Sequence, residues 1–387
     1  MGALFGIYGS ATAFAAFVPS DSPLLTVGSV TPNVMLLVDD SGSMNSIIWA
    51  SGFDPNADPV QAYSCNSDFN CSNVTAMDMT DTNFFVGNLR AGGCDAGYDG
   101  FYKFTTRTRV CLKLPDPVGN GNTRYTTAYI SYLLYATSLS KKDYTDDSIP
   151  DDYRINVART VSAALVASNR NLRIGLATFN PPTSGNAGPG GNIARAISDL
   201  SQTTATSAAQ ANANYNSLIS SINSLGAIAN TPLAEAYYEV TRYFRGMTPY
   251  YNTTPSTYTS PIQYRCQRNY GVVITDGLPT YDRTFPTNDP LGGANLPNWD
   301  GKNNDGDNLN GDGEGDTLYL DDIAKFAYDI DMRTGGTDAA NKGWDATDFP
   351  KQNMFTTPLD SQPLMPCFPT QRFTERVSTI KRLTARV

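Results

Sequence analysis

The chain has 387 residues, a formal net charge of −9 and no histidine. It is long enough for one large domain or two ordinary ones, and its acidic balance argues against a nucleic-acid partner, because phosphate binding needs a basic surface. Without imidazole the common zinc sites, every Ser-His-Asp or Cys-His arrangement and most general-base chemistry near neutral pH fall away.

Residues 1–16 are small and apolar, and Ala11-Thr12-Ala13 and Ala13-Phe14-Ala15 fit the small-x-small pattern of signal peptidase sites. A secretory signal peptide is expected there, its positively charged start missing; an ordinary disordered N-terminus is the competing reading. No later window holds eighteen uninterrupted apolar residues, so no transmembrane helix is expected. The six cysteines include no Cys-x-x-Cys pair, which suits an exported protein with disulfides. Proximity alone suggests Cys65 with Cys71 and Cys94 with Cys111, leaving Cys266 with Cys367.

Residues 17–33 read as an extended lead-in to Val34-Met35-Leu36-Leu37-Val38, an apolar run bounded by Pro32 and Gly42. Such a run predicts a strand buried on both faces in a parallel sheet. At its carboxyl end, where open α/β sheets bind ligands, stand Asp39, Ser41 and Ser43, spaced Asp-x-Ser-x-Ser on a Gly-containing turn. Three hard oxygen donors converging there would select Mg²⁺, Mn²⁺ or Ca²⁺; a polar turn after a strand explains the same residues more blandly. Phosphatases of the haloacid dehalogenase type carry Asp-x-Asp at this place, but Ser41 stands where their general acid would be.

Residues 46–122 hold short turns, many Asn, Gly and Asp, aromatic residues such as Phe84, Phe85 and Tyr98, and four cysteines. They are expected to form an insertion held by its own disulfides, either a lid or partner-reading surface beside the site, or decoration of a sheet edge. Helical periodicity follows over 125–139 and 154–167, then a strand over 172–179 that Asn180-Pro181-Pro182 ends. The glycines at 185, 188, 190 and 191 precede no Gly-Lys-Ser/Thr and read as a loop, not a phosphate cradle. A helix is predicted over 215–225. In the next one Thr231 has the chemistry of an N-cap and Pro232 suits the first helical position, with the helix running to about Phe244. Tyr270-Gly271-Val272-Val273-Ile274-Thr275 is a second buried-type strand, and it delivers Asp276 at its carboxyl end.

Asp-x-Ser-x-Ser after a first strand, a Thr-Pro-Leu helix start and Thr-Asp-Gly after a later strand together resemble the von Willebrand factor A (vWA) domain and its metal-ion-dependent adhesion site, or MIDAS. The resemblance implies a three-layer, Rossmann-like α/β fold with a mostly parallel sheet. It implies that Ser41, Ser43 and Thr231 coordinate a cation, with Asp39 and Asp276 close by or acting through water, and that Mg²⁺, Mn²⁺ or Ca²⁺ keeps one position open for a ligand Asp or Glu. More narrowly, the lead-in, the first strand, the segment around Thr231 and Cys266-Gln267-Arg268-Asn269-Tyr270-Gly271 resemble the N-terminal region of the type IV pilus assembly and tip-associated adhesin family, PilY/PilC, over residues 17–354. The function so implied is non-enzymatic adhesion and pilus assembly in the periplasm, at the cell surface or at the pilus tip. Its partners would be pilus subunits or a host or surface protein presenting Asp or Glu. Family members usually carry a C-terminal β-propeller that this sequence lacks, so a fragment or truncated product is expected. A metal-dependent phosphate-ester hydrolase using Asp39, or a generic secreted vWA binding domain unconnected with pili, are the alternatives.

Residues 300–331 carry ten acids against Lys302 and Lys325. In the acidic loop over about 300–316, Asn308, Asn310 and Asp312 begin a calcium-loop pattern and form a candidate second cation site, but position twelve falls on Tyr319, and a solvated loop explains the same residues. In the PilY/PilC family this stretch would precede a helix over 318–332. From 355 the expected strand gives way to a Pro/Arg-rich tail, with four prolines from Pro358 to Pro369. That predicts an atypical, out-of-register tail over 355–387, as a frameshift would leave, and a sheet lacking its last strands.

Overall fold

The computed structural model describes residues 30–55, 62–65, 74–76, 83–89, 91–103, 106, 108–202, 208–302, 317–349 and 351–360. The proposed signal segment, most of the acidic loop and nearly all of the Pro/Arg-rich tail lie outside these residues. In chain order the strands and helices are β1 (Asn33–Val38), β2 (Ala62–Cys65), β3 (Val74–Ala76), β4 (Asn83–Phe85), β5 (Asp99–Lys103), β6 (Arg109–Lys113), β7 (Arg124–Thr126) and α1 (Thr127–Ala136). There follow β8 (Lys141–Asp143), α2 (Arg154–Ser168), β9 (Arg173–Phe179), β10 (Gly191–Asp199), α3 (Ala208–Asn223), α4 (Leu233–Arg245), β11 (Asn269–Thr275), α5 (Leu320–Asp329) and β12 (Met354–Asp360).

The fold is mixed α/β around a largely parallel sheet of order β10-β9-β1-β11-β12, in which only β10 runs antiparallel to its neighbour. Every residue of β1 is buried, which follows from its place in the middle of that order. Its side chains alternate between two cores. Met35 and Leu37 pack with Ala177, Phe179 and Val273 against α4 and α5. Val34, Leu36 and Val38 pack with Ile174, Leu176 and Ile274 against α2 and α3. Each large aliphatic side chain so buried stabilises the fold by roughly 1.5–3 kcal/mol. From β1 the chain passes through α2 to β9 on one side, and later through α4 to β11 on the other, which makes the carboxyl end of β1 a topological switch point.

A second sheet, β3-β2-β5-β6-β8, and the β4–β7 pair follow β1 in sequence. Residues of β5, β6 and β7 contribute to a third core from Ile47 to Ile149 that includes Phe101, Leu112, Tyr125, Tyr129 and Leu133. Helix α1 therefore packs with this sheet, and the apolar cluster runs well beyond residue 122. Cys94 and Cys111 are joined by a disulfide, as proximity suggested, with Cα atoms 5.7 Å apart. Cys266 is free and exposed; Cys71 and Cys367 lie outside the described residues, as does the side chain of Cys65.

Helix α1 (Thr127–Ala136) is shorter than the expected 125–139 and α3 begins at Ala208 where 215 is expected, and three further elements differ from the sequence expectation. Gly191 begins β10 and does not belong to a loop: a Cβ there would stand 2.6 Å from Ala236 Cβ and from Thr178 O, so glycine is what lets α4 lie against the sheet. Helix α4 begins one residue after Pro232, and Thr231 does not cap it. The cap comes from Asp282, whose carboxylate accepts the amides of Ala234 at 2.7 Å and Glu235 at 2.8 Å. The third is the strand β12, which pairs with β11 from Asn269–Met354 to Thr275–Asp360 and places Pro358 opposite Val273. The sheet thus has a strand where the prolines argued against one. An edge strand with one neighbour tolerates a missing N–H that a central strand does not.

Candidate functional site

The turn after β1 is pinned from three directions. Asp39 N–H donates to Ile274 O at 2.8 Å, which ties it to β11. Phe179 N–H donates to Asp40 Oδ1 at 3.0 Å, which ties it to the end of β9. Ile228 and Ala229 donate their amides to Asp40 O at 2.8 and 3.1 Å, and Gly42 N–H returns to Ala229 O at 2.9 Å, so the α3–α4 connection is zipped along the turn.

On this frame Asp39, Ser41, Ser43 and Asp276 come together. Ser41 Oγ lies 2.8 Å from Ser43 Oγ, and Ser43 Oγ donates to Asp276 Oδ1 at 2.9 Å. Asp39 Oδ1 accepts Ser41 N–H at 2.8 Å, while Thr275 Oγ1 donates to Asp39 Oδ2 at 2.7 Å. Thr231 sits two residues beyond Ala229 and is tied to the loop after β11 by Thr231 N–H to Thr280 Oγ1 at 3.1 Å and Thr280 N–H to Thr231 O at 3.0 Å. Its backbone is therefore anchored beside the turn, but its hydroxyl does not join the hydrogen-bonded set. Asn308, Asn310 and Asp312 lie outside the described residues.

The electrostatics are unusual for so small a site. Asp39 is fully buried; burial first, then the charge of Asp276, raise its pKa, against the hydrogen bonds from Ser41 and Thr275. Asp40 is pushed up to about 8, mainly by burial, with the Phe179 amide opposing. Asp276 carries a buried counter-ion: Arg154, the first residue of α2, places Nη1 2.5 Å from Asp276 Oδ2, and its guanidinium lies 5.0 Å from the Trp49 ring centroid. Sequence reasoning missed Arg154, Asp40 and Trp49. Thr275 stood in view beside Asp276, whereas nothing in the periodicity of α2 marks Arg154 as the partner of a residue 122 positions away.

The donor set suits a hard cation in one respect. Adjacent ligands of an octahedral Mg²⁺ stand about 2.9 Å apart, since each Mg–O bond is about 2.05 Å, and the Ser41–Ser43–Asp276 oxygens are spaced at 2.8 and 2.9 Å. Two hydroxyls and two carboxylates are the oxygens on offer. Among the described residues no group of three or more His, Cys, Asp or Glu is placed to hold a metal ion.

What fold and site define so far is a mixed α/β protein with a polar cluster at its switch point. Among curated proteins, the chain is 23% identical over 340 residues to the type IV pilus biogenesis factor PilY1 of Pseudomonas aeruginosa, an alignment that covers 79% of this chain and 28% of that protein. The relation is distant and links the chain to type IV pili. The chain spans little more than a quarter of that relative's length. No family profile matches the chain, and no solved structure matches it. Among the described residues no helix is long and apolar enough to cross a membrane.

Proposed function

We propose that residues 17–354 form a vWA-type binding module of an exported protein that serves type IV pilus assembly and adhesion in the periplasm, at the cell surface or at the pilus tip. In this reading Ser41, Ser43 and Thr231 hold Mg²⁺, or Mn²⁺ or Ca²⁺ in its place, with Asp39 and Asp276 close by or acting through water. The ion supplies an open position for the Asp or Glu of a pilus subunit or of a host or surface protein, and no bond is broken. The observation that carries the reading is the run of Ser41, Ser43 and Asp276 oxygens, spaced at 2.8 and 2.9 Å, at the carboxyl end of β1. The biogenesis role named for the Pseudomonas relative supports its pilus side.

The hydrolase alternative loses ground to the burial of Asp39. Both its oxygens already accept a hydrogen bond, and a carboxylate so enclosed is badly placed to attack a phosphate ester. Calorimetric titration of Mg²⁺, Mn²⁺ and Ca²⁺ into the protein tests the reading. At least one cation should bind with one-to-one stoichiometry, and Ser41→Ala should weaken that binding about tenfold or more. No heat with any of the three, or an undiminished titration in Ser41→Ala, would remove it.

A further inference from the structure

Arg124, the first residue of β7, is another cation at this site, and among the described residues no carboxylate forms an ion pair with it. Its backbone is fixed: Arg124 pairs with Phe85 of β4, and its carbonyl accepts Ile47 N–H at 2.9 Å. Its guanidinium lies along the Ser41–Gly42–Ser43 turn, so close that a Cβ on Gly42 would stand 3.2 Å from Arg124 Nη1. The Phe85 ring lies 5.2 Å from Cζ. Arg154 takes Asp276, but no ion pair among the described residues uses Arg124, and its Nε is buried without a hydrogen-bond partner. Burial above all pushes its pKa down; Asp276 pulls it up, and Arg154 adds to the fall.

A half-buried guanidinium with unused donors is costly in the free protein and is offset by an anion that accepts them. We infer that Arg124 is a second anchor for the acidic side chain of a partner protein, gripping one carboxylate oxygen while the other faces the Ser41–Ser43 hydroxyls and whatever cation they hold. The inference rests on the docking reading above for the identity of the ligand, and it deepens that reading by assigning recognition to the stretch between β1 and α2. A carboxylate has the two oxygens such a bridge needs, and the forked N–H groups of arginine can converge on one of them. Trp49 and Phe85, from the same stretch, each back one of the two guanidinium groups, so the basic side of the site is held by residues outside the central sheet.

The test follows amide chemical shifts of the full chain in saturating Mg²⁺ while acetyl-Gly-Asp-Gly-amide is added, with acetyl-Gly-Asn-Gly-amide and inorganic phosphate as separate probes. Arg124→Gln should weaken the Asp peptide about tenfold and leave Mg²⁺ affinity within about threefold, and Arg124→Lys, which keeps the charge and loses the fork, should fall between. Equal affinity for the Asp peptide in wild type and Arg124→Gln, no response of the wild type, or a response to phosphate alone would overturn the assignment. If Arg124→Gln does not fold, the Arg124→Lys comparison decides on the same criterion. A wild type that binds the peptide through Arg124 but binds no Mg²⁺ would sink the metal-dependent reading and leave this one standing, so the two fail separately.

Discussion

Replacing Arg154 by methionine keeps the apolar contact with Trp49 and removes the only charge that pairs with buried Asp276 among the described residues. Leaving one member of a buried ion pair alone costs about 3 kcal/mol or more, so Arg154→Met should lower the thermal midpoint in chelator. Mg²⁺ should then restore part of the loss and bind more tightly than to wild type, since binding to the folded state alone stabilises it. A midpoint that ignores Mg²⁺ in this variant would argue that Asp276 does not face the cation. Asp289 makes a different prediction. Burial works to raise its pKa, but the bonds from Arg245, Tyr238 and the Gly292 amide outweigh it and hold the carboxylate at about 2. A depressed folded pKa means stability present above the ordinary value near 4 and lost as pH falls toward 2, about 2 kcal/mol for this group. Asp289→Asn should flatten that acid limb in denaturant titrations from pH 5 to 2, and it should be less stable than wild type at pH 7, where Arg245 is left unpaired. The four residues that meet at the site could be read in sequence because each stands just past a buried strand. Arg124, Arg154 and Trp49 could not, since a lone arginine or tryptophan carries no local sign of where the chain will return.

Elements whose burial is written in their composition were legible: β1 and β11 as unbroken apolar runs, β9 ending at Asn180, α2 within a residue of its observed ends. Those fixed by distant contacts were not. β10 is exposed over Ala194, Arg195 and Ala196 in its centre, so it lacks the apolar run that marks a strand, and its glycine start reads as a loop. Helix α4 looked self-capped by Thr231, yet its cap arrives from Asp282, 48 residues beyond Ala234. Asp282→Ala should therefore speed amide exchange in the first turn of α4 and cost about 1–2 kcal/mol, whereas Thr231→Val should leave that exchange unchanged. β12 was hidden by Pro358, and its worth can be measured by shortening the chain. Thr356 Oγ1 lies 2.6 Å from buried Tyr237 OH, and Met354 is wholly enclosed. A chain ending at Asn353 should expose β11 as a bare edge and lose cooperative unfolding or aggregate; unchanged midpoint and slope in guanidinium would mean that β12 adds nothing to the sheet.

At the scale of the whole molecule the two parts divide labour. The parallel sheet with α2–α5 gathers oxygens at its switch point, and the separate core from Ile47 to Ile149 presents Trp49, Phe85 and Arg124 to them. The Cys94–Cys111 disulfide lies in the second part, across a separation of 17 residues. Replacing both cysteines by serine should destabilise that part by about 3 kcal/mol and leave cation affinity unchanged, because the hydroxyl cluster hangs from the other core. Anomalous scattering from Mn²⁺-soaked crystals at the manganese edge shows whether Ser41 and Ser43 hold a divalent ion. One strong peak should stand within about 2.5 Å of both serine hydroxyl oxygens; a map with no peak there, and Ser43 still hydrogen-bonded to Asp276, would rule the ion out.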